Sequence, residues 1–307
     1  NYIEVLSMLI VIGLLAFFTN ILASNQKKFK AVNSIFFIFG TLVLWIFLGW
    51  IDGLYDTTIA LNRYNYYQSF DSFTEAGYQF VIAFFHSLQF SSRQFMVACG
   101  LFEIIAIGFF YKNNSISPNS SLGFFMLFPM IVIFQYARNL FAFSFVLFGL
   151  DAFINKKRFY KITFVLFVIL ASLFHANSLF FIIFLFSEKK YFKKLLVALF
   201  ALLFLLSNSY FLSIFSSLFS GFFGNEKVNM IFTQRDEGNG ILGLMALCFM
   251  PLVIQLFLKK QVFGKVLSKN EQRKAMIFDN ICYSIVLLVP LSLYISQAFV
   301  RLAFFIQ

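Results

Sequence analysis

The sequence predicts an all-α, polytopic integral membrane fold of about ten transmembrane helices, with short re-entrant or interfacial helices and two larger outer-face loops near 51–75 and 210–240. Three observations lead there. The 307 residues are 61% hydrophobic and only 12% charged, against roughly 25% charged in a soluble domain. Phe alone fills 50 positions, more than one water-facing core can hide. Lys and Arg gather in short clusters between apolar runs, at Lys27-Lys28-Lys30, Lys156-Lys157-Arg158-Lys161, Lys189-Lys190-Lys193-Lys194 and Lys259 through Lys274. That is the positive-inside pattern of cytoplasmic loops. The same clustering turns the net charge of +11 away from a nucleic-acid reading, because the cations punctuate spans instead of forming one basic face.

A spanning helix needs about 20 mostly apolar residues, and the elements follow in order. The first run, 2–23, is too long for a signal-peptide core and reads as a retained span. Span 32–50 then delivers the polar stretch 51–75 to the outside. Run 76–90 is short and is taken as re-entrant or interfacial. Span 94–111 returns inside, 122–136 goes out, and 139–154 comes back to the cluster at 156–161. The pair 162–174 and 176–187, broken at His175, makes a hairpin to the basic turn 188–194. Span 195–209 exits, 210–223 lies at the interface, 241–258 re-enters, and 278–297 leaves the basic segment 259–277. All four basic clusters then share one side, and both termini lie outside. No internal repeat or linker interrupts the chain, so 1–307 reads as one domain. Asn1 in place of Met, and a stop at Gln307 within an apolar run, lead to the expectation that one or both ends are incomplete. Cys99, Cys248 and Cys282 sit in apolar stretches, where a free thiol behaves as a small hydrophobe; neither a disulfide framework nor a metal site is expected.

This topology collects a second set of polar residues on the outer face: Asp52, Asp56, Arg63, Asp71 and Glu75, then Arg138, His175, the loop residues Glu226 to Glu237, and Arg301. Ionisable groups at the membrane are expensive, roughly 2.5–3.5 kcal/mol on insertion scales for a mid-helix Arg, Lys or Asp, and are functional suspects. Arg138 stands alone among apolar residues on the side where the positive-inside rule disfavours it; the bland alternative is an arginine reaching lipid phosphate. Arg301 repeats that setting. A guanidinium grips phosphate through two parallel hydrogen bonds and keeps its charge, so the pair points to a phosphate- or pyrophosphate-bearing lipid. His175 breaks an apolar hairpin with a polar H-A-N-S; it is either a turn residue capping a carbonyl or a group that moves a proton near neutral pH. His86 reads as a packing residue.

The aromatics Tyr55, Tyr64, Tyr66, Tyr67 and Tyr78 serve equally well as sugar-stacking surfaces or as an interfacial belt. Glu75 either complements the dipole of the helix it precedes or accepts a hydroxyl proton, with a low-dielectric wall expected to raise its pKa. Asp151 reads as structural, and Glu103, close to mid-span, needs a partner. No phosphate-binding glycine loop, zinc spacing or Ser–His–Asp pattern is present, which argues against ATPase and metallohydrolase chemistry.

Several pieces, in order across 50–305, resemble the EpsG-like, Wzy-type polymerases of bacterial surface polysaccharides. They are Tyr64-Asn65-Tyr66-Tyr67 with Phe70, Glu75-Ala76-Gly77-Tyr78 opening a helix, Ala137-Arg138-Asn139 before a span, Leu173-Phe174-His175-Ala176-Asn177-Ser178 after the basic turn, and Arg301 with Phe304-Phe305. Two departures stand out. The stretch before Tyr64 reads Asn62-Arg63 where the family commonly has Asp-Tyr, and the acidic-proline pair is here Glu75-Ala76.

The resemblance implies a glycosyltransferase of the bacterial cytoplasmic (inner) membrane, working at the periplasmic or outer face on O-antigen, capsule or exopolysaccharide. It transfers glycan from undecaprenyl pyrophosphate to a hydroxyl of a lipid-linked repeat unit, without a metal or other cofactor. It implies Glu75, His175 and Arg138 as catalytic, and Arg301, Arg235, Arg63, Tyr66, Tyr67 and Asn139 as substrate-binding. Membrane lipid, a chain-length regulator and a flippase are the implied partners, with no nucleic acid. The competing readings are a lipid-linked oligosaccharide flippase or other transporter, a metal-dependent glycosyltransferase using Asp52 and Asp56, and an O-antigen ligase.

Overall fold

The computed structural model describes residues 30–50, 55–67, 75–115, 117–127, 137–206 and 268–287, with isolated positions at 11, 14 and 18. These described residues form helices joined by short turns, without strands. Apart from those three positions the expected span 2–23 lies outside them, as do 241–258, the interfacial 210–223, the 128–136 part of 122–136, the 288–297 part of 278–297, and the sites Arg235 and Arg301. The chain divides into two compact units, Asn1–Ile182 and Ile183–Gln307.

The first unit is built on α1 (Lys30–Trp50) and α4 (Ser92–Asn114), with α2 (Tyr55–Asn65) and α3 (Ala76–Ser87) between them in sequence. Both α1, from Ala31, and α4 are long and apolar enough to cross a bilayer. They run antiparallel at close range because glycines face the partner. A Cβ on Gly49 would stand 2.9 Å from Val97, one on Gly100 2.9 Å from Leu48, and one on Gly108 3.3 Å from Thr41. Small residues admit such close helix contacts in lipid, where apolar burial against another helix brings little gain. Two polar side chains finish the joint: Trp45 Nε1 donates to the Val97 carbonyl at 2.9 Å and Arg93 Nη1 to that of Gly49 at 3.0 Å. The start of α4 is fixed by a capping box, with Ser91 accepting from the Gln94 backbone and Gln94 from that of Ser91. The outward stripe of α1, including Ile35, Ile38, Phe39, Leu42 and Ile46, stays exposed, as a face solvated by hydrocarbon should.

α5 (Pro118–Leu127), α6 (Ala137–Ile154) and α7 (Tyr160–Ser172) complete the unit, and a 3₁₀ helix, η1 (Ala176–Phe186), carries the chain across the boundary at Ile182. α4 and α6 run in the same direction: Phe102 meets Phe141 and Phe145, Phe109 meets Phe148, and Asn113 and Asn114 reach Asp151. That is the direction the sequence assigns to 94–111 and 139–154. α7 returns antiparallel, with Gly149 so close that a Cβ there would lie 2.8 Å from Phe167 Cβ.

Residue 151 is fully buried at the end of α6 beside the basic turn. Asp151 Oδ1 accepts from Asn114 and Asn155 at 2.9 Å and Asn113 at 3.1 Å, and Oδ2 accepts from Lys157 at 2.6 Å. A buried carboxylate this fully partnered is structural, in keeping with the sequence reading.

In the second unit, α8 (Phe192–Leu206), α9 (Lys269–Tyr283) and η2 (Ser284–Leu287) pack together. Arg273 pairs with Glu188, its Nε donating at 2.9 Å, and Lys193 donates to Asp279 at 2.7 Å while its ammonium lies 3.8 Å above the Tyr283 ring. These pairs join the basic turn 188–194 to 269–279, two segments expected on one side of the membrane. Two boundaries differ from expectation. α9 begins at Lys269, not 278, because Ser268 and Glu271 form a capping box on a polar first turn. The stretch 51–75, expected as loop, contains α2, whose Ala60 and Tyr64 are buried in the core.

Candidate functional site

α3 positions the site. Its 12 residues extend about 18 Å at 1.5 Å each, short of a hydrocarbon core of about 30 Å. Its outer flank is held by aromatic stacking. Tyr64, from α2, lies between His86 (centroids 4.3 Å apart) and Phe95 (4.6 Å), and its hydroxyl donates to the Phe90 carbonyl at 2.7 Å. His86 Nε2 sits 2.5 Å from the Tyr64 carbonyl, an acceptor-only oxygen, so Nε2 carries the proton. His86 is a packing residue, as its sequence context suggests.

The other end of α3 docks on the end of α7. Gly77 N donates to the Leu173 carbonyl at 2.8 Å, and a Cβ at 77 would stand 2.8 Å from that same oxygen. Only glycine admits this approach. It brings Glu75, the residue before α3, against His175, which follows α7.

Glu75 occupies the N-cap position but makes no side-chain cap, although that position offers a carboxylate unsatisfied backbone donors. The side chain turns outward instead. Arg138 Nη1, from the first turn of α6, donates to Oε2 at 3.2 Å, and His175 Nδ1 faces Oε1 at 3.6 Å. The second distance is too long for a hydrogen bond and is an ion pair only when the imidazole carries a second proton. All three side chains are about one-fifth exposed, but both ring nitrogens of His175 are buried and have no hydrogen-bond partner among the described residues, so the cluster is sheltered. Burial alone would raise the Glu75 carboxyl; the His175 imidazole and the Arg138 charge outweigh it and hold the group below its ordinary value. The raised pKa expected from the sequence is therefore corrected: two cationic or proton-bearing neighbours override the low-dielectric wall.

Among the described residues, the remaining expected ones make no hydrogen bond or ion pair with the cluster. Arg63 is half-buried with Nη1 unpaired, and Asn139, 3% exposed beneath Arg138, pairs neither amide atom. Tyr66 is exposed and Tyr67 half-buried, but Tyr64 and Tyr78 belong to the core and offer no free sugar-stacking face. Their alternation with polar residues concealed this, since α2 and α3 each have one buried face. Glu103 is buried in α4, and no hydrogen bond or ion pair to it is found among the described residues. Gly77, absent from the expected set, is the residue that joins the two halves of the site; the G-Y pair opening a helix was the available signal.

Arg138 and Asp151 lie 13 positions apart on one helix, about 20 Å along its axis. The Glu75–Arg138–His175 cluster thus occupies the end of α6 opposite the basic turn.

No curated protein and no solved structure matches the chain. A family model does, that of the EpsG family, over residues 35–307. The match includes every element of the cluster and the apolar helices around it, and on that ground the chain belongs to the EpsG family, membrane proteins of polysaccharide biosynthesis with a polymerase-like function.

Proposed function

We propose that the chain is a Wzy-type polymerase of a bacterial surface polysaccharide, one domain of about ten spans in the cytoplasmic membrane with its site on the outer face. The donor is a glycan on undecaprenyl pyrophosphate and the acceptor a hydroxyl of a lipid-linked repeat unit. One observation carries the reading: Glu75, Arg138 and His175, from three separate segments, meet at the helix end opposite the basic turn.

In the reaction, the acceptor oxygen attacks the anomeric carbon, the bond from that carbon to the pyrophosphate oxygen breaks, and the hydroxyl proton must leave. Glu75 facing Nδ1 favours the tautomer with its proton there and leaves Nε2, buried and without a partner among the described residues, as the base once the acceptor hydroxyl reaches it. His175 takes the proton, and Glu75 stabilises the imidazolium that forms. Arg138 supplies fixed positive charge for the departing pyrophosphate, an electrostatic role most effective in a sheltered site. Arg235 and Arg301 are assigned to the same anion, Arg63 and Asn139 to polar groups of the substrate, and Tyr66 and Tyr67 to sugar faces.

Glycan-length analysis of a deletion strain tests this. Single repeat units accumulating on the lipid at the outer face are expected; units held at the cytoplasmic face instead would favour a flippase and overturn the proposal.

A further inference from the structure

The end of the first unit that carries the basic turn has a feature the transfer chemistry does not use. A groove of about 420 Å³ runs along the outside of the α1–α4 pair. Its walls are apolar, with Phe37, Trp45 and Ile105 among them, and none of its lining residues is acidic. At one end stand Asn33, Lys112 and Asn119. From Asn33 to Trp45 the groove follows 12 residues of α1, about 18 Å, close to the depth of one bilayer leaflet. At the polar end Asn119 Nδ2 donates to the Asn33 carbonyl at 2.9 Å, tying α5 to α1. Asn119 is 4% exposed and its Oδ1 has no partner, an arrangement that costs about 1–3 kcal/mol unless a donor arrives.

We infer that this groove is a binding site for one anionic phospholipid of the leaflet on the lysine-rich side, its acyl chain along α1 and its phosphate at Lys112. Length, apolar walls and a single cationic end match the chemistry of such a lipid. A headgroup hydroxyl of the phosphatidylglycerol type would supply the donor that Asn119 Oδ1 lacks after a small movement of the amide. The site lies at the opposite end from Glu75, Arg138 and His175 and holds a bilayer lipid, neither donor nor acceptor of glycan. The inference does not depend on the transfer reaction.

The test is native mass spectrometry of the full chain with dioleoyl phosphatidylglycerol or dioleoyl phosphatidylcholine added. One retained phosphatidylglycerol is expected, with phosphatidylcholine retained about fivefold less, the ratio equivalent to about 1 kcal/mol for one lysine near the surface. Lys112→Gln should erase that preference, and Ile105→Trp, which fills the groove from its exposed side, should remove the bound lipid. Equal retention of both lipids by the unaltered chain, undiminished retention in Ile105→Trp, or a second copy of the chain in place of lipid would each overturn the inference.

A second readout covers a variant that fails to fold. The chain has two Trp residues, so Trp50→Phe leaves Trp45 as the sole reporter. Acyl-brominated phosphatidylglycerol should quench it at lower mole fraction than the brominated phosphatidylcholine, and equal quenching would contradict the site.

Discussion

Glu75 gives up the cap of its own helix to face Arg138, 63 positions away, at 3.2 Å. The side chains that cap helices well are the shorter Ser, Thr, Asp and Asn; the longer Glu75 directs its carboxylate to Arg138 and His175 on other segments instead. The Arg138 guanidinium, close to a carboxylate in a sheltered pocket, is pre-oriented without being neutralised away. An incoming pyrophosphate, with more charge than one carboxylate, can compete for its donors.

Replacing Arg138 tests that role. Arg138→Ala and Arg138→Lys should both lower elongation by about 10²–10³-fold, the loss typical for one preorganised electrostatic group. Lys keeps the charge but lacks the planar fork. Membrane expression should be retained, with a stability loss of about 1–3 kcal/mol because removing Arg138 takes a partner from a largely buried carboxylate. The readout is polymer length by gel beside protein level by immunoblot. Full activity in both variants would remove Arg138 from the mechanism.

Gly77 should be intolerant of any side chain. Gly77→Ala places a methyl 2.8 Å from the Leu173 carbonyl oxygen, and such overpacking costs about 1–3 kcal/mol. Because the contact sets the distance from Glu75 to His175, activity should fall further than stability does. Thermal unfolding of the purified protein and polymer yield, measured on one preparation, separate the two effects. Unchanged yield would show that the α3–α7 joint does not position the site.

The pH response follows from the Glu75 shift. Its folded pKa lies below the ordinary carboxylate value of about 4.3, so the pair's contribution is complete above that value. It disappears as pH falls through the folded pKa. The melting temperature of the unaltered chain should exceed that of Glu75→Gln at pH 7, and the two should converge only once the pH has fallen through the lowered folded pKa. A gap that widens on acidification would reverse the assigned sign.

At the other end of α6, Asp151→Ala should act on stability alone. It leaves three amides and Lys157 without their shared acceptor, a loss of about 2–4 kcal/mol. Yield should drop while turnover per folded molecule stays within about twofold. A large loss of turnover in well-folded protein would give Asp151 a chemical role.

The apolar runs made the long described helices legible, because in lipid a helix announces itself by length and composition. The segments 32–50, 94–111, 139–154 and 162–174 match α1, α4, α6 and α7 within three residues at each end. α2 and the start of α9 escaped because both are polar and amphipathic, although the Ser268–Glu271 spacing of a capping box was there to read. Sidedness brought Arg138 and His175 to one face. The pairing with Glu75 was not legible, since nothing in the spacing of 75, 138 and 175 shows that Gly77 meets Leu173. The Asn113–Asn114–Asp151–Asn155 knot stayed hidden for the same reason: its members come from two helices and a turn.

Reconstituted protein supplied with a repeat unit on polyprenyl pyrophosphate gives the most direct test of glycan transfer at the Glu75–His175 pair. The unaltered chain should build a glycan ladder and release one lipid pyrophosphate per linkage, while His175→Gln, folded and loaded with the same lipid, should form neither. A ladder from His175→Gln at the unaltered rate, or lipid translocation without new linkages in the unaltered chain, would contradict it.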